Sequence, residues 1–101
     1  LSCKKIKQNM GWCNDPRNIK YNKEVNHKKI KNSEKLFRKD YKYNAFIVIN
    51  YNSQPIIKKK GSAIFLHLTK NYKPTAGCIA IKKNDFFKLA KIINNKTRIK
   101  I

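Results

Sequence analysis

Residues 62–68, which read SAIFLHL, constrain the fold more than any other part of this 101-residue sequence. Nearly every position is apolar, and a strand of this kind is covered on both faces. Alternation along the strand places the even-numbered residues on one face and the odd-numbered residues, His67 among them, on the other. The sequence therefore predicts an interior strand of a sheet that has a core on each side.

Other segments predict further strands. Residues 43–51 (YNAFIVINY) are rich in β-branched and aromatic residues, which favours a strand. A turn at 52–55 and a second strand that starts at 56–57 would complete a hairpin. Residues 78–81 (CIAI) predict a short strand with the cysteine on one face and both isoleucines on the other. Residues 97–101 (TRIKI) alternate and predict a last strand.

An amphipathic helix is predicted near the C-terminus. Its apolar residues follow the spacing i, i+3, i+4, i+7, which is that of one helical face, in the set Phe86, Leu89, Ala90 and Ile93. Asn84 is the predicted N-cap, and Asp85 suits the positive end of the helix dipole. The fold class is therefore α+β, mainly β, with one helix near the C-terminus, in a single domain over residues 1–101.

The first third of the chain gives weaker signals. Residues 3–8 predict a short strand, and residues 9–33 predict a long polar loop that is anchored to the core by Trp12, Tyr21 and Val25. Residues 33–38 suit one or two helical turns with Ser33 as the N-cap. So long a loop in a small domain is typical of a functional segment or of a missing partner element.

The charge is strongly positive, with 25 Lys and Arg against 5 Asp and Glu, a net charge of +20. Such a field attracts polyanions, among them nucleic acid and anionic cell-wall polymers. The three arginines (Arg17, Arg38 and Arg98) are few for a protein that reads nucleic acid, since arginine makes the bidentate contacts there. We therefore expect no nucleic-acid partner and interpret most of the charge as a solvated surface.

The three cysteines, Cys3, Cys13 and Cys78, form no zinc-binding pattern with the two histidines. In an oxidising compartment Cys3 and Cys13 could pair, whereas elsewhere all three would be thiols. The sequence has no signal-peptide pattern and no long apolar run, so we expect no membrane span. It begins at Leu1, so any export signal would have to lie upstream.

His67 and Cys78 are the candidate catalytic pair. A thiolate attacks carbonyl groups, and a nearby imidazole can accept the thiol proton. Gly77 permits a tight turn in which backbone N–H groups could stabilise an oxyanion, and Thr75 is close enough to assist by a hydrogen bond. From spacing alone, however, a buried thiol and a structural histidine are the commoner outcome. The residues themselves therefore leave both interpretations open.

Four segments resemble one protein family. Residues 61–81 (GSAIFLHLTKNYKPTAGCIAI) look like the C-terminal half of the L,D-transpeptidase catalytic domain family (YkuD-type), whose hallmark is a histidine followed by a serine/threonine–histidine–glycine–cysteine segment. The histidine segment GSAIFLH and the cysteine segment TAGC are similar to those of one branch of this family. Residues 11–22 (GWCNDPRNIKYN) and 34–43 (EKLFRKDYKY) resemble two further segments of that branch, in the same order.

The resemblance implies a cysteine acyltransferase of the L,D-transpeptidase type and assigns roles residue by residue. Cys78 matches the nucleophile and His67 the general base. Gly77, with the backbone of Cys78, matches the oxyanion hole, and Thr75 matches the serine or threonine of the motif. The carbonyl of Leu68 is the candidate to orient the imidazole.

The resemblance also implies the setting. The substrate would be a stem peptide of bacterial peptidoglycan, bound in part by Thr75 and Tyr72, and no metal or organic cofactor would be needed. Cross-linking or trimming of the wall would contribute to cell-wall biogenesis and cell shape, in the periplasm or another extracytoplasmic part of the cell envelope. The competing interpretation is a non-catalytic basic module that binds an anionic polymer, either the cell wall or nucleic acid.

Two departures from the family pattern affect the candidate site. Ala76 replaces the motif histidine, and Ala80 replaces the arginine or asparagine that follows the cysteine by two residues. The family domain also has strands before the segment that corresponds to residues 11–22. We therefore expect this chain to represent the C-terminal part of the domain.

Overall fold

The computed structural model describes residues 3–100 and contains two three-stranded sheets and one helix. The first sheet is antiparallel in the order β2-β1-β3, with β1 at Met10–Cys13, β2 at Glu24–Asn26 and β3 at Ser33–Lys35. The second sheet has the order β4-β5-β6. Its strands are β4 at Phe46–Val48, β5 at Phe65–Leu68 and β6 at Ile79–Ile81, and the helix α1 spans Lys83–Ile92.

The mainly β fold with one C-terminal helix is confirmed, and β5 is the interior strand that residues 62–68 predict. β5 pairs with β4 antiparallel and with β6 parallel, and all four of its residues are buried. The parallel pairing sets Leu66 opposite Ile79 and His67 opposite Ala80. Both neighbours of β5 thus come from segments with strand-like sequence.

The two faces of β5 contribute to two separate cores, as its alternation predicts. We call the first the Phe65 core; its buried members are Leu36, Tyr43, Ala63 and Phe65. Trp12 packs on this core with its ring perpendicular to that of Phe65 at a centroid distance of 5.2 Å. The second, the Leu66 core, has as its buried members Leu66, Leu68 and Phe86.

The helix supports the Leu66 core. Phe86 is its buried residue, and Leu89 packs beside it, as the helical spacing predicts. Asp85 does lie in the first turn, but Asn84 as N-cap is wrong. The helix begins at Lys83, two residues before the predicted start, and the side chain of its N-cap Lys82 makes no capping hydrogen bond. This helix is too short and too polar to cross a membrane, and residues 3–100 form no other.

Predictions for the first third of the chain are wrong in three places. Residues 3–8 form no strand, and the predicted long loop contains β1 and β2, although Trp12, Tyr21 and Val25 do anchor it as expected. The predicted helical turn at 33–38 begins with the strand β3 instead. These strands are held by pairing between distant residues, and a short polar sequence does not show such pairing.

Three further strand predictions are corrected. The hairpin is wrong, because residues 56–57 lie in no strand and β4 pairs with β5 instead. Only Phe46–Val48 of the predicted strand at 43–51 is extended in a ladder. Residues 97–100 form no strand either, and Ile101 lies outside the described residues.

Candidate active site

β5 and β6 bring His67 and Cys78 to the same face of their sheet. His67 lies on the face of β5 that carries Phe65. Cys78 immediately precedes β6 and packs against the Phe65 core, whereas Ile79 and Ile81 pack against the Leu66 core. Strand parity therefore separates the cysteine from its apolar neighbours and places it on the histidine side.

The two side chains line one cleft with a volume of about 380 Å³. The cleft walls come mainly from three regions: the end of β5 with the residues before it, the loop before β6, and the segment from β3 to Tyr43. Asn14, which follows β1, completes the lining. The lining residues include Glu34, Arg38, Tyr43, Ala63, His67, Thr75, Ala76 and Cys78. A group held in this cleft would therefore meet a thiol, an imidazole and charged side chains together.

His67 is held in one orientation by its own strand. Its Nδ1 lies 2.9 Å from the carbonyl oxygen of Leu68, the group proposed from the sequence to orient the ring. A carbonyl only accepts hydrogen bonds, so Nδ1 carries the proton and Nε2 of the neutral ring is left as the acceptor. The ring packs at 69° to Tyr43 with a centroid distance of 5.6 Å. The hydrogen bond to Leu68 and the packing on Tyr43 thus fix the orientation of the ring.

Cys78 is a half-buried thiol rather than a standing thiolate. Its Sγ donates a hydrogen bond to the carbonyl oxygen of Ala63 at 3.2 Å. Burial raises the pKa of the Cys78 thiol, a backbone hydrogen bond from Phe65 acts in the opposite direction, and the nearby charge of Glu34 raises the pKa further. A nucleophilic role for Cys78 would therefore need a base to remove its proton, and His67 is the imidazole in the same cleft.

The turn before Cys78 has the geometry that its glycine suggests. Gly77 has φ +114°, a conformation that residues with a side chain rarely adopt. The Thr75 hydroxyl donates a hydrogen bond to the carbonyl of Cys78, and this bond closes the turn from Thr75 to Cys78. Thr75 thus reaches the cleft, but its visible partner is the backbone of Cys78.

Tyr72 lies apart from the other predicted site residues. It is exposed and does not line the cleft that contains His67 and Cys78. Its hydroxyl accepts a hydrogen bond from the Lys82 N–H at 3.3 Å, and the Lys82 ammonium lies 5.6 Å from the ring centroid. The structure therefore does not bring Tyr72 together with the pair, and its role in substrate binding stays a prediction.

The two departures from the family motif leave space near the pair. Ala76 lines the cleft, and Ala80 lies directly opposite His67 in the parallel ladder. A methyl group at each position provides neither a charge nor a hydrogen bond. Polar contacts near the pair must therefore come from elsewhere on the cleft wall.

Sequence reasoning assigned no role to Glu34, Arg38 or Tyr43, which supply that wall. The Tyr43 hydroxyl donates to Oε1 of Glu34 at 2.6 Å, and the Arg38 guanidinium stacks 4.8 Å from the Tyr43 ring centroid. Burial and the hydrogen bond to Glu34 raise the pKa of Tyr43, so its hydroxyl stays a donor. All three belong to residues 34–43, and the resemblance of that segment was the signal that could have marked them.

Arg38 is itself paired with Asp40. Its Nε lies 3.1 Å from Asp40 Oδ1, and Nη2 contacts Oδ2. This pairing keeps the pKa of Asp40 below its ordinary value, and Asp40 also accepts the Lys42 N–H at 3.2 Å.

Among residues 3–100 no group of three or more His, Cys, Asp or Glu side chains could hold a metal ion.

The family of the chain follows from a comparison with known protein families. The family model of the L,D-transpeptidase catalytic domain (YkuD) matches residues 4–101, nearly the whole chain. The chain belongs to this family. The L,D-transpeptidase match supports a transferase associated with cell-wall peptidoglycan. No curated protein and no solved structure matches the chain significantly.

The family match covers every residue that lines the cleft. The segments with the family resemblance, 61–81 and 34–43, supply most of its walls, including the cysteine and the histidine. The match extends over all the strands and the helix, so the first sheet is also part of the family region. The match itself assigns no catalytic role to any single residue.

Proposed function

We propose that this chain is a cysteine acyltransferase that acts on peptidoglycan stem peptides through a thioester on Cys78. The observation that supports it is the placement of Cys78 and His67 on one face of the sheet, in one cleft, with His67 Nδ1 bound to the Leu68 carbonyl. An imidazole oriented in this way accepts a proton at Nε2.

In the proposed first step, the Cys78 sulfur attacks the amide carbonyl before the terminal D-alanine of a stem peptide. His67 takes the thiol proton and then gives it to the departing amine as the carbon–nitrogen bond breaks. Backbone N–H groups of Gly77 and Cys78 are the proposed donors to the oxyanion. The products are free D-alanine and an acyl group held as a thioester on Cys78.

In the proposed second step, an amine of another stem attacks the thioester, or water does so. The nucleophile loses a proton to His67, the carbon–sulfur bond breaks, and His67 returns the proton to the Cys78 sulfur. An amine gives a cross-link, and water gives a trimmed stem. Both outcomes place the activity in the cell envelope, outside the cytoplasm.

The test is a donor tetrapeptide stem incubated with the purified chain, followed by intact mass and peptide mapping. We expect one acyl adduct on Cys78, and none in the Cys78→Ala variant. Cys3→Ser, which removes an exposed thiol, is the matched control and should acylate like the parent. Full activity in Cys78→Ser, or an adduct on Cys3 or Cys13 with Cys78 spared, would contradict the proposal.

A second candidate function is favoured by the surface charge. All 22 lysines of the chain are exposed, so the net charge of +20 faces solvent. A basic module that only binds an anionic wall polymer would show strongly salt-dependent binding that Cys78→Ala leaves intact. Binding of this kind without any Cys78 adduct would favour the module over the enzyme.

A further inference from the structure

Glu34 is an acidic side chain in the cleft that forms no ion pair with any cation of residues 3–100. Of the five acidic residues, three form ion pairs, namely Asp15, Glu24 and Asp40, and Asp85 lies in the first turn of α1. Among residues 3–100, Glu34 has no ion-pair partner within 4.0 Å, and its side chain accepts one hydrogen bond. In a chain with 25 cationic residues, an acid without a paired cation is conspicuous.

The contacts of Glu34 direct its carboxylate without neutralising it. Oε1 accepts the hydroxyl of Tyr43, a buried residue whose ring packs against His67. Arg38 and Lys42 line the same cleft, but neither forms an ion pair with Glu34. The Arg38 guanidinium is near enough to feel the charge of Glu34, but it is bound to Asp40 through two nitrogens. An ionised carboxylate has room for several donors, so most of the acceptor capacity of Glu34 remains for a ligand.

The location of Glu34 suits a cationic ligand of Cys78. Both residues line the cleft, and the second step of the proposed reaction requires an amine, which is largely an ammonium ion near neutral pH. The net charge of +20 repels such an acceptor, whereas the Glu34 carboxylate, in the same cleft as Cys78, attracts it locally. A local negative charge would thus favour the approach of an amine over that of water.

We propose that Glu34 binds the ammonium group of the amine acceptor and thereby directs the thioester toward cross-linking rather than hydrolysis. This inference rests on the proposed function. The bound ammonium loses one proton to solvent, by way of the carboxylate, to become a nucleophilic amine. On attack it loses a second proton to His67, which passes it to the Cys78 sulfur as the carbon–sulfur bond breaks.

The first test measures the charge preference at Cys78 without any turnover. Two thiol reagents of similar reactivity are compared, the cationic 2-(trimethylammonium)ethyl methanethiosulfonate and the neutral methyl methanethiosulfonate. Modification of each cysteine is followed by peptide mapping. The ratio of the two rates at Cys78 cancels any change in the pKa of the thiol, because both reagents attack the same thiolate.

We expect Glu34→Gln to lower the cationic-to-neutral rate ratio at Cys78 by about three- to tenfold. The amide oxygen of glutamine can still accept the Tyr43 hydroxyl, so the packing is retained. Tyr43→Phe removes the hydroxyl but keeps the carboxylate, and its ratio should stay within about twofold of the parent. An unchanged ratio in Glu34→Gln overturns the inference.

Two controls separate this effect from others. Glu24→Gln removes an acid that lies outside the cleft, and it should leave the ratio at Cys78 unchanged. The rate of modification at exposed Cys3 is an internal reference for the quality of each reagent. Buried Cys13 stays unmodified as long as the variant is folded, so its modification reports unfolding. A fall in the ratio at Cys3 as large as that at Cys78 would mean a general field and would also overturn the inference.

The second test uses the acyl-enzyme and separates this inference from the proposed function. Glycinamide, largely protonated at pH 7, and hydroxylamine, largely neutral, compete as acceptors for the thioester. Glu34→Gln should raise the KM for glycinamide about three- to tenfold and leave that for hydroxylamine unchanged. Equal changes for both acceptors contradict the role of Glu34, whereas no adduct on Cys78 in the parent chain contradicts the proposed function itself.

Discussion

The Cys78 thiol is hydrogen-bonded to the carbonyl of Ala63 at 3.2 Å, and Ala63 is bound in turn to the loop between β1 and β2. The N–H of Ala63 donates to Oδ1 of Asn22 at 3.1 Å, and Ala63 has φ +56°. The backbone of Ala63 thus joins the candidate nucleophile to the buried side-chain amide of Asn22 in that loop. Changes at Asn22 should therefore affect both stability and the site.

Asn22→Ala should lower the free energy of unfolding by about 2–4 kcal/mol. The Asn22 amide accepts from Trp12 Nε1 at 2.9 Å and donates to the carbonyls of Tyr51 and Asn52 at 3.0 and 2.7 Å. Its φ of +57° is also one that asparagine tolerates better than alanine. Urea denaturation measures the change.

The matched control for Asn22 is Asn50→Ala. Asn50 is exposed, and its variant should change the free energy of unfolding by no more than about 0.5 kcal/mol. Equal losses in the two variants would mean that the buried amide network contributes little.

Gly77→Ala should destabilise the fold by about 1–3 kcal/mol and should slow acylation of Cys78. An added Cβ would meet only Ile64 Cδ1 at 3.6 Å, an ordinary contact, so the cost comes from the backbone at φ +114°. Relief of that φ would turn the adjacent Cys78 away from Ala63. Thermal unfolding and the rate of adduct formation report the two effects.

Lys73→Ala serves as the control for Gly77. It lies in the same loop and is exposed, so we expect no more than about 0.5 kcal/mol of change and a normal acylation rate. A stable Gly77→Ala variant with parental acylation would show that the positive φ is not required.

The reactivity of Cys78 toward iodoacetamide should rise only at a pH above the ordinary range for a thiol. Burial raises its pKa, so the thiolate is scarce near neutral pH. The pKa of Cys78 is higher in the folded chain than in the unfolded chain, so its contribution to the free energy of unfolding is complete below the unfolded pKa. That contribution is lost as the pH rises through the folded pKa. Rates of alkylation across a pH series, read by mass spectrometry, give the midpoint.

Glu34→Gln should move that midpoint to lower pH, because the charge of Glu34 raises the pKa of Cys78. Glu24→Gln, which changes an acid outside the cleft, should leave the midpoint where it is. A midpoint at or below that of an ordinary thiol in the parent would contradict the buried resting state of Cys78.

His67→Gln should lower the rate of Cys78 acylation by about 10²- to 10⁴-fold. Glutamine has a similar reach but accepts no proton near neutral pH, so the base is lost while most of the packing against Tyr43 is kept. The pH profile of acylation gives a readout that a structural role would not move. A variant with the parental profile and rate would exclude His67 as the base.

Residues with strong local periodicity were predicted well. The alternation around β5 placed Phe65 and Leu66 in different cores, and the 3.6-residue spacing located Phe86 and Leu89 on the inner face of α1. Burial on a defined face demands such a pattern from the sequence itself. The parity of His67 and Cys78 followed from the same rule.

Residues whose structure depends on distant partners were not predicted. Ser33 was expected to cap a helix, but it pairs with Cys13 across β1 and β3, and its hydroxyl donates to the Ile30 carbonyl at 2.6 Å. At Gly11, on the same pair of strands, a Cβ would lie 2.7 Å from the Ser33 hydroxyl. The close approach of Gly11 to Ser33 exists only when β1 and β3 are paired.

The sequence by itself determined the interior strand, its two faces, the amphipathic helix and, through family motifs, the candidate Cys78 and His67. Only the tertiary structure decided the first sheet, the hydrogen bond between Cys78 and Ala63, and the presence of Glu34 in the cleft. Periodicity shows which face of an element is buried, because most residues on that face must be apolar. No periodic pattern in the sequence predicts that Glu34 and Cys78 line the same cleft. Their proximity depends on how β3 and the segment that follows it pack beside β5.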